Sequence, residues 1–514
     1  MGTRRTRAAY AAILAISIVV PALTVLAVAP PGAVLTAPEE GPPESIPYTP
    51  PVSGDAGGEG PTSITDWHGP PAKAELYASQ VSIVPGGRID LHVSTPAKKY
   101  TLQVYREATT AEGGHQELIA FKVKNRKGID QRSAVTMDEK STPRANWKVT
   151  DTIRTTKAWK PGVYTIRILD SDGSRNSTLV VVRTPTLSAK APLLVVPVLT
   201  YQAYNDWGGA SSYIDSRKIR SHRVSFDRPY IAGPGLWWTT RDSKLAAWLA
   251  ANLPGLQYTT DYDLSLAPPA TYPTMTILQR HTEYVTKAMY DWLEDGVRGR
   301  GVMGLANFGA NTLYWQVRLE PATGGPNAAS APREMVIYRN DGNPADPTPT
   351  DPVSGPTTTT RWRDEPLDRP EGGLLGAQYR AMLGTDSDDR WPMTVDASMP
   401  WSLLEGTGWT AGTTFIVNLM SGEGDESAPG PNGSSTTEVL RSVAVTPSLE
   451  IVHPASTLRT FPSGGRVFNA STLGWAYLLP PAEFDPGVSE ESFAIFTRNI
   501  LHWVAGEPTT RTGK

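Results

Sequence analysis

The sequence predicts a multidomain chain, an all-β sandwich followed by an α/β domain with a mainly parallel sheet. Three observations predict it. The chain has 514 residues, too many for one ordinary core. Between Lys73 and about residue 184, short runs alternate apolar and polar residues. From Leu193 onward, buried-strand runs and helix-spaced runs take turns, as crossover connections between parallel strands require.

At the N-terminus, Arg4-Arg5-Thr6-Arg7 precedes an apolar run from Ala8 to Ala29. This pattern has the basic start, apolar core and small-residue end of an export signal. Pro30 follows directly and the run is long enough to span a bilayer. Residues 1–29 are therefore either a cleaved signal or an uncleaved N-terminal anchor. Both place the bulk of the protein outside, secreted or held on the outer face of the cytoplasmic membrane. Residues 30–72, rich in Pro, Gly, Glu, Ser and Thr, read as a disordered linker.

In residues 73–184, Val81-Ser-Ile-Val, Arg88-Ile-Asp-Leu-His-Val-Ser and Tyr100-Thr-Leu-Gln-Val-Tyr are half-buried strands. Pro85-Gly-Gly turns the first into the second. Two later strands are split by Asp170-Ser-Asp-Gly, read as a hairpin turn rather than a calcium loop. About seven strands of this kind suggest a sandwich of immunoglobulin-like type.

In residues 193–507, Leu193 to Leu199 reads as a buried strand. Ser243 to Asn252 reads as a helix with Ser243 at its N-cap. Gln257-Tyr-Thr-Thr and Thr274 to Leu278 are strands, Tyr284 to Leu293 a helix, and Gly301 to Phe308 a strand. Pro321 to Pro370, full of Pro, Gly, Thr and Asp, reads as a long surface excursion. Strands return at Thr414–Leu419 and Arg466–Asn469, and a helix over Glu491–Val504 closes the domain.

Composition narrows the chemistry. Lys plus Arg (48) nearly balances Asp plus Glu (51), so nucleic acid is not an expected partner. The absence of cysteine excludes disulfides, thiol nucleophiles and thiolate metal sites. A bound metal must use oxygen or nitrogen ligands, which favours a hard cation. No Gly-x-Ser-x-Gly elbow and no His-Glu-x-x-His pair occurs. Asp386-Ser-Asp-Asp389 reads as a solvated acidic loop.

Ligands of parallel α/β sheets bind at the carboxyl ends of strands. After the first strand come Tyr204, Asn205 and Tyr213; after Leu278, His281 and Glu283; after Phe308, Asn311. An aromatic-dense stretch, Tyr201 to Tyr213, is an unusual exit from a strand, since turns favour Gly, Pro, Asn, Asp and Ser. Packing anchors under a loop and the lining of a ligand or metal site both fit it.

Tyr201-Gln-Ala-Tyr-Asn-Asp-Trp-Gly-Gly-Ala-Ser-Ser-Tyr213, Val224 to Tyr230, His281-Thr-Glu-Tyr284, Phe308 to Arg318, Thr360 to Arg363, Glu405 to Gly408 and Arg466 to Trp475 resemble, in order, the C-terminal domain of the N,N-dimethylformamidase large (β) subunit. Val84-Pro-Gly-Gly and Lys160 to Tyr164 resemble the domain that precedes it there. The resemblance implies a class I glutamine amidotransferase-like α/β fold and a mononuclear ferric iron held by Tyr204, Tyr213 and Glu283. It implies catalytic roles for His281, Asn311 and Glu423. The activity it implies is metal-dependent hydrolysis of a C–N amide-type bond, and the alternative is a non-catalytic cell-surface or ligand-binding protein on the same fold. A third reading, a carbohydrate-active module, rests on Trp237-Trp238. The family commonly shows Gly-His-Asp-Glu-Tyr-Trp where this chain has Arg280-His-Thr-Glu-Tyr-Val285, which predicts a reshaped pocket, and its enzyme works with a separate small subunit. The expected partners are a small-molecule or amide-bearing substrate and, through the N-terminal segment only, the membrane; homo-oligomerisation is left open.

Overall fold

Alternation does build a sandwich. In the computed structural model, Glu75–Ala78, Arg88–Ser94 and Asp151–Arg154 form one antiparallel sheet. Ser82–Ile83, Arg175–Val182, Gly162–Asp170, Lys99–Glu107 and Gln116–Lys127 form the other. Leu76, Ile89, Leu91 and Val93 from the first pack against Leu102, Val104, Ile166 and Val180 from the second. The period of two sends the intervening residues to the opposite face. That face is also covered: Tyr77 stacks on His92 with ring centroids 4.3 Å apart, and both meet Trp147. Asp170 Oδ1 accepts the amides of Asp172 and Ser174, so its turn is closed on itself as a hairpin.

The structure describes residues 73–507 apart from 108–115, 138–141, 214–219, 232–241, 323–330, 340–345, 348–349, 352–354, 384–390 and 481–488. The expected signal or anchor, the linker, Trp237-Trp238 and Asp386–Asp389 lie outside the described residues. All described residues belong to one unit, Ile46–Lys514. Among them no helix is long and apolar enough to cross a membrane.

A nine-stranded sheet dominates the second half. Its parallel part runs in the order Gln257–Thr260, Leu193–Val196, Met275–Leu278, Gly304–Asn307, Arg466–Asn469. Counted along the chain this is 2-1-3-4-5, a doubly wound order with its switch point between the Leu193 and Met275 strands. The remaining strands, Ala455–Thr460, Ser435–Ser442, Trp391–Val395 and Thr414–Met420, pair antiparallel. The sheet is thus half parallel, not mainly so. Alternate residues of Leu193–Val196 enter two different cores, so the strand is apolar throughout.

Several elements differ from expectation for local reasons. The first strand stops at Val196, because Pro197 has no N–H for the ladder. A helix, Val198–Tyr204, starts there, with Leu199 N donating to the buried Asp261 carboxylate at 3.0 Å. Tyr284–Thr286 is a strand and only Lys287–Glu294 is α-helical; β-branched Val285 and Thr286 favour the extended form, and Thr286 caps the helix. Asp242, not Ser243, occupies the N-cap of Ser243–Asn252, and no side chain caps it. The Pro321–Pro370 stretch is not merely a surface excursion. Its Glu334–Val336 strand joins Arg223–Ser225, Trp315–Glu320 and Tyr284–Thr286 in a four-stranded sheet, and Trp362 is fully buried.

Candidate metal centre at the strand ends

Three chain segments meet at the switch point. The Val198–Tyr204 helix and the loop after it carry Tyr204 and Tyr213; the turn after Leu278 carries His281 and Glu283. Tyr204 Oη donates to Glu283 Oε2 at 2.8 Å. Tyr213 Oη stands 3.4 Å from both Glu283 oxygens. The two rings lie 4.3 Å apart. Thr200 Oγ1, on the same helix, accepts Glu283 N at 3.1 Å and fixes the two segments against each other.

The segment is shaped by Arg228, fully buried in the Val224–Tyr230 stretch. Its Nη1 donates to the Trp207 and Ala210 carbonyls and its Nη2 to the Gln202 carbonyl. Asn205 adds a bond to Pro229 O at 2.9 Å. From the sandwich side, Trp207 Nε1 donates to Glu75 at 2.7 Å, and Trp207 meets Trp147 edge-on.

A second group faces the first. His281 Nε2 lies 3.2 Å from Glu283 Oε2 and 3.1 Å from Glu423 Oε2. Asn311 Nδ2 donates to Glu423 Oε1 at 3.2 Å. Glu423 opens the Glu423–Ser427 strand, paired with Ala377–Met382. Asn311 has a left-handed φ of 51°, a conformation Asn tolerates better than most residues. Gly309 precedes it for steric reasons: a Cβ there would sit 2.0 Å from the Arg280 carbonyl. Asp425 Oδ1 accepts Asn311 N at 2.9 Å, and Asn469, itself bonded to Asn307, donates to Asp425 Oδ2.

All six sequence-predicted residues, Tyr204, Tyr213, His281, Glu283, Asn311 and Glu423, therefore come together. Arg339, Tyr284, Thr200, Arg228 and Asp425 also belong to the assembly, though sequence reasoning assigned them no role. Tyr284 and Arg228 stand inside quoted motifs, which was the available signal; Arg339 lies in the stretch read as a surface excursion. Of the two residues flanking the His281–Tyr284 motif, Arg280 donates from Nε to Leu473 O, and Val285 lies in the same core cluster as Leu278 and Met289. A cavity of about 260 Å³ lies elsewhere, beside Arg183, Asp263 and Pro269.

Electrostatics sharpen what the set favours. Burial, then the Glu283 charge, pushes both Tyr204 and Tyr213 well above the ordinary phenol range. Burial alone would lower His281, but the Glu423 and Glu283 carboxylates raise it to about 10. An imidazolium thus sits between two carboxylates. The two phenols cannot ionise beside Glu283 without added positive charge. The donor set is hard oxygen throughout, which suits a hard cation. Oxygens held about 2 Å from one cation, at angles from a right angle to tetrahedral, stand about 2.8–3.3 Å apart. The 2.8 Å spacing from Tyr204 to Glu283 falls in that range, and the 3.4 Å spacing from Tyr213 lies just beyond it. Asn311 Oδ1, on the residue that donates to Glu423, is buried without a hydrogen-bond partner. Among the described residues no three His, Asp or Glu side chains are placed to hold a metal ion, so a metal here depends on the phenols.

Asp425 beneath the site yields a stability prediction. Burial raises its pKa from 3.8 to about 7, only partly offset by the Asn311 amide and the Asn469 side chain. The raised carboxyl holds its proton in the folded chain when the unfolded chain has lost it. Stability contributed by this group is therefore full below about pH 4 and declines as pH rises to about 7. The decline is about 1.4 kcal/mol per pH unit within that window. Urea denaturation across this range should show the slope, and Asp425→Asn should flatten it.

Comparison with known proteins adds one strong result. Among solved structures, a marsupial T cell receptor matches at 21% identity over 23% of this chain and 56% of the receptor, with a TM-score of 0.14. A Paenibacillus cycloisomaltooligosaccharide glucanotransferase bound to cycloisomaltoheptaose matches at 11% identity over 39% of this chain and 27% of the enzyme, TM-score 0.13. A Listeria innocua β-glucosidase with glucose matches at 17% over 22% and 16%, TM-score 0.11. The chain spans only 56% of the first of these and less of the other two, and overlaps so slight carry no argument about fold or activity. No curated protein matches. The family model for the N,N-dimethylformamidase beta subunit-like C-terminal region, however, matches residues 101–487, from within the sandwich to beyond the last strand of the large sheet, and the chain belongs to that family.

Proposed function

We propose that the chain is an exported metal-dependent hydrolase that cleaves a C–N amide-type bond with activated water. The observation that carries this reading is the meeting of the Tyr204, Tyr213 and Glu283 oxygens directly opposite a buried His281–Glu423–Asn311 group. A hard cation such as ferric iron, when bound by the three oxygens, supplies Lewis acidity toward a carbonyl and a water. The chain's own residues do the rest. Glu423, whose side chain is 11% exposed against 4% for His281, is the acid–base group nearest to solvent. It takes a proton from the attacking water and returns it to the departing amine nitrogen. His281 holds the Glu423 carboxylate in place through Nε2. Asn311 orients the other Glu423 oxygen with one N–H and directs its second toward the carbonyl oxygen as that oxygen gains charge.

The test is metal analysis of purified protein together with its visible spectrum. Bound iron and a phenolate-to-iron absorption band are expected, with Tyr204→Phe removing most of that band. Glu423→Gln should keep both iron and band yet lower hydrolysis of linear amides by roughly 10²–10⁴-fold, the usual contribution of a general acid–base group. Protein without iron and without the band would sink this reading. The closed site, with Glu283 only 3% exposed, favours one alternative: a ligand-binding protein that keeps the metal but does not turn over. Iron with no hydrolysis across a broad amide panel would support it.

A further inference from the structure

One of the two phenols, Tyr213, lies beneath Arg339. This residue follows the Glu334–Val336 strand with a left-handed φ of 64°, uncommon for a long side chain. Its guanidinium carbon stands 4.2 Å over the Tyr213 ring and 5.0 Å from the Trp315 ring. Nη2 donates to Tyr284 Oη at 2.7 Å. Its buried Nε has no acceptor, and among the described residues no carboxylate pairs with it. Tyr284 Oη in turn lies 2.7 Å from Tyr213 Oη.

A guanidinium has donors only, so Tyr284 must accept from Arg339. Either oxygen can donate between Tyr284 and Tyr213, but a Tyr213 phenolate has no proton and can only accept, so in that state the Tyr284 proton points at it. Tyr204 Oη is bonded to Glu283, and its ring packs near Tyr213, Tyr284 and His281.

We propose that Arg339 and Tyr284 are positioning residues for Tyr213, aiming a charge-assisted hydrogen bond at its oxygen when it serves as a phenolate ligand. This rests on the metal reading of Tyr204, Tyr213 and Glu283. Groups that orient a metal ligand from behind are worth roughly 10- to 100-fold in metal affinity. A bonded phenolate is also a poorer electron donor, so losing the bond moves its band to longer wavelength.

The experiment loads wild type, Tyr284→Phe, Arg339→Met and Arg339→Lys with ferric iron and records spectra and dissociation constants. Tyr284→Phe keeps the ring and removes only the hydroxyl, so it tests the relay even if Arg339→Met disturbs the fold. Expected are a band at longer wavelength and affinity weakened by roughly 10-fold or more in Tyr284→Phe and Arg339→Met, with Arg339→Lys recovering part of both. A wild-type band maximum with wild-type affinity in Tyr284→Phe overturns the proposal while leaving the metal site standing. Absence of the band from wild type overturns the metal reading and this proposal with it.

Discussion

Under the proposed metal reading, exchanging Glu283 for Gln is expected to abolish ferric binding. Glu283 reaches both phenols, so it ties the oxygen set together. Glutamine keeps the shape and removes the charge, leaving two phenols that burial already holds well above their ordinary range. A neutral amide oxygen is the weaker ligand for a hard cation. Ferric affinity should fall by at least about 100-fold, beyond the loss from removing a supporting group alone. Hydrolysis at limiting metal should fall with it. Metal content after dialysis and the visible band report the outcome together. A Glu283→Gln protein that retains stoichiometric iron and an unaltered band would remove Glu283 from the ligand set.

The second large effect is expected from Arg228→Met. The guanidinium collects the carbonyls of Gln202, Trp207 and Ala210, all within the segment that presents Tyr204 and Tyr213. Methionine fills the space but donates nothing. Gln202 O keeps the Asn205 amide, whereas the Trp207 and Ala210 carbonyls lose this donor. Orphaning a buried acceptor costs about 1–3 kcal/mol, so a loss of roughly 3 kcal/mol is expected overall. Burial lowers the Arg228 pKa to about 10, so removing the charge also relieves a desolvation cost and keeps the loss from being larger. Urea denaturation measures the stability and ferric titration the site, and both should weaken. Unchanged stability would mean that the loop holds its shape without this residue.

The site was more legible in the sequence than the frame around it. Residues at strand ends lie together whenever the strands are parallel, so Tyr204, Tyr213, His281, Glu283 and Asn311 could be grouped from apolar runs alone. Glu423 could not, and only the family resemblance pointed to it; it arrives on a separate strand paired with Ala377–Met382. Sequence patterning overextended the first strand because Leu and Val are apolar in strand and helix alike, while Pro197 and the distant Asp261 decide where the helix begins. The antiparallel half of the large sheet gives the same alternation as any half-buried strand, so its direction was not readable. Arg339 was missed because a Pro- and Gly-rich composition hides a three-residue strand, Glu334–Val336, whose partners lie far along the chain.

The aromatic face of the sandwich bears on how this protein can be cut and joined. Tyr77, Ala145, Trp147 and Trp207 form a single core shared by both halves. Arg333 bridges Ala78 O and Asp227, and Arg144 pairs with the buried Glu334. A fragment beginning at residue 185 would expose Trp207 to water and release the loop that presents both phenols. Its Glu334 would keep Arg223 but lose Arg144. The piece that keeps the loop of Tyr204 and Tyr213 in place is therefore the sandwich and the sheet together, and a gene fusion made at residue 185 would carry the sheet without the residues that hold that loop.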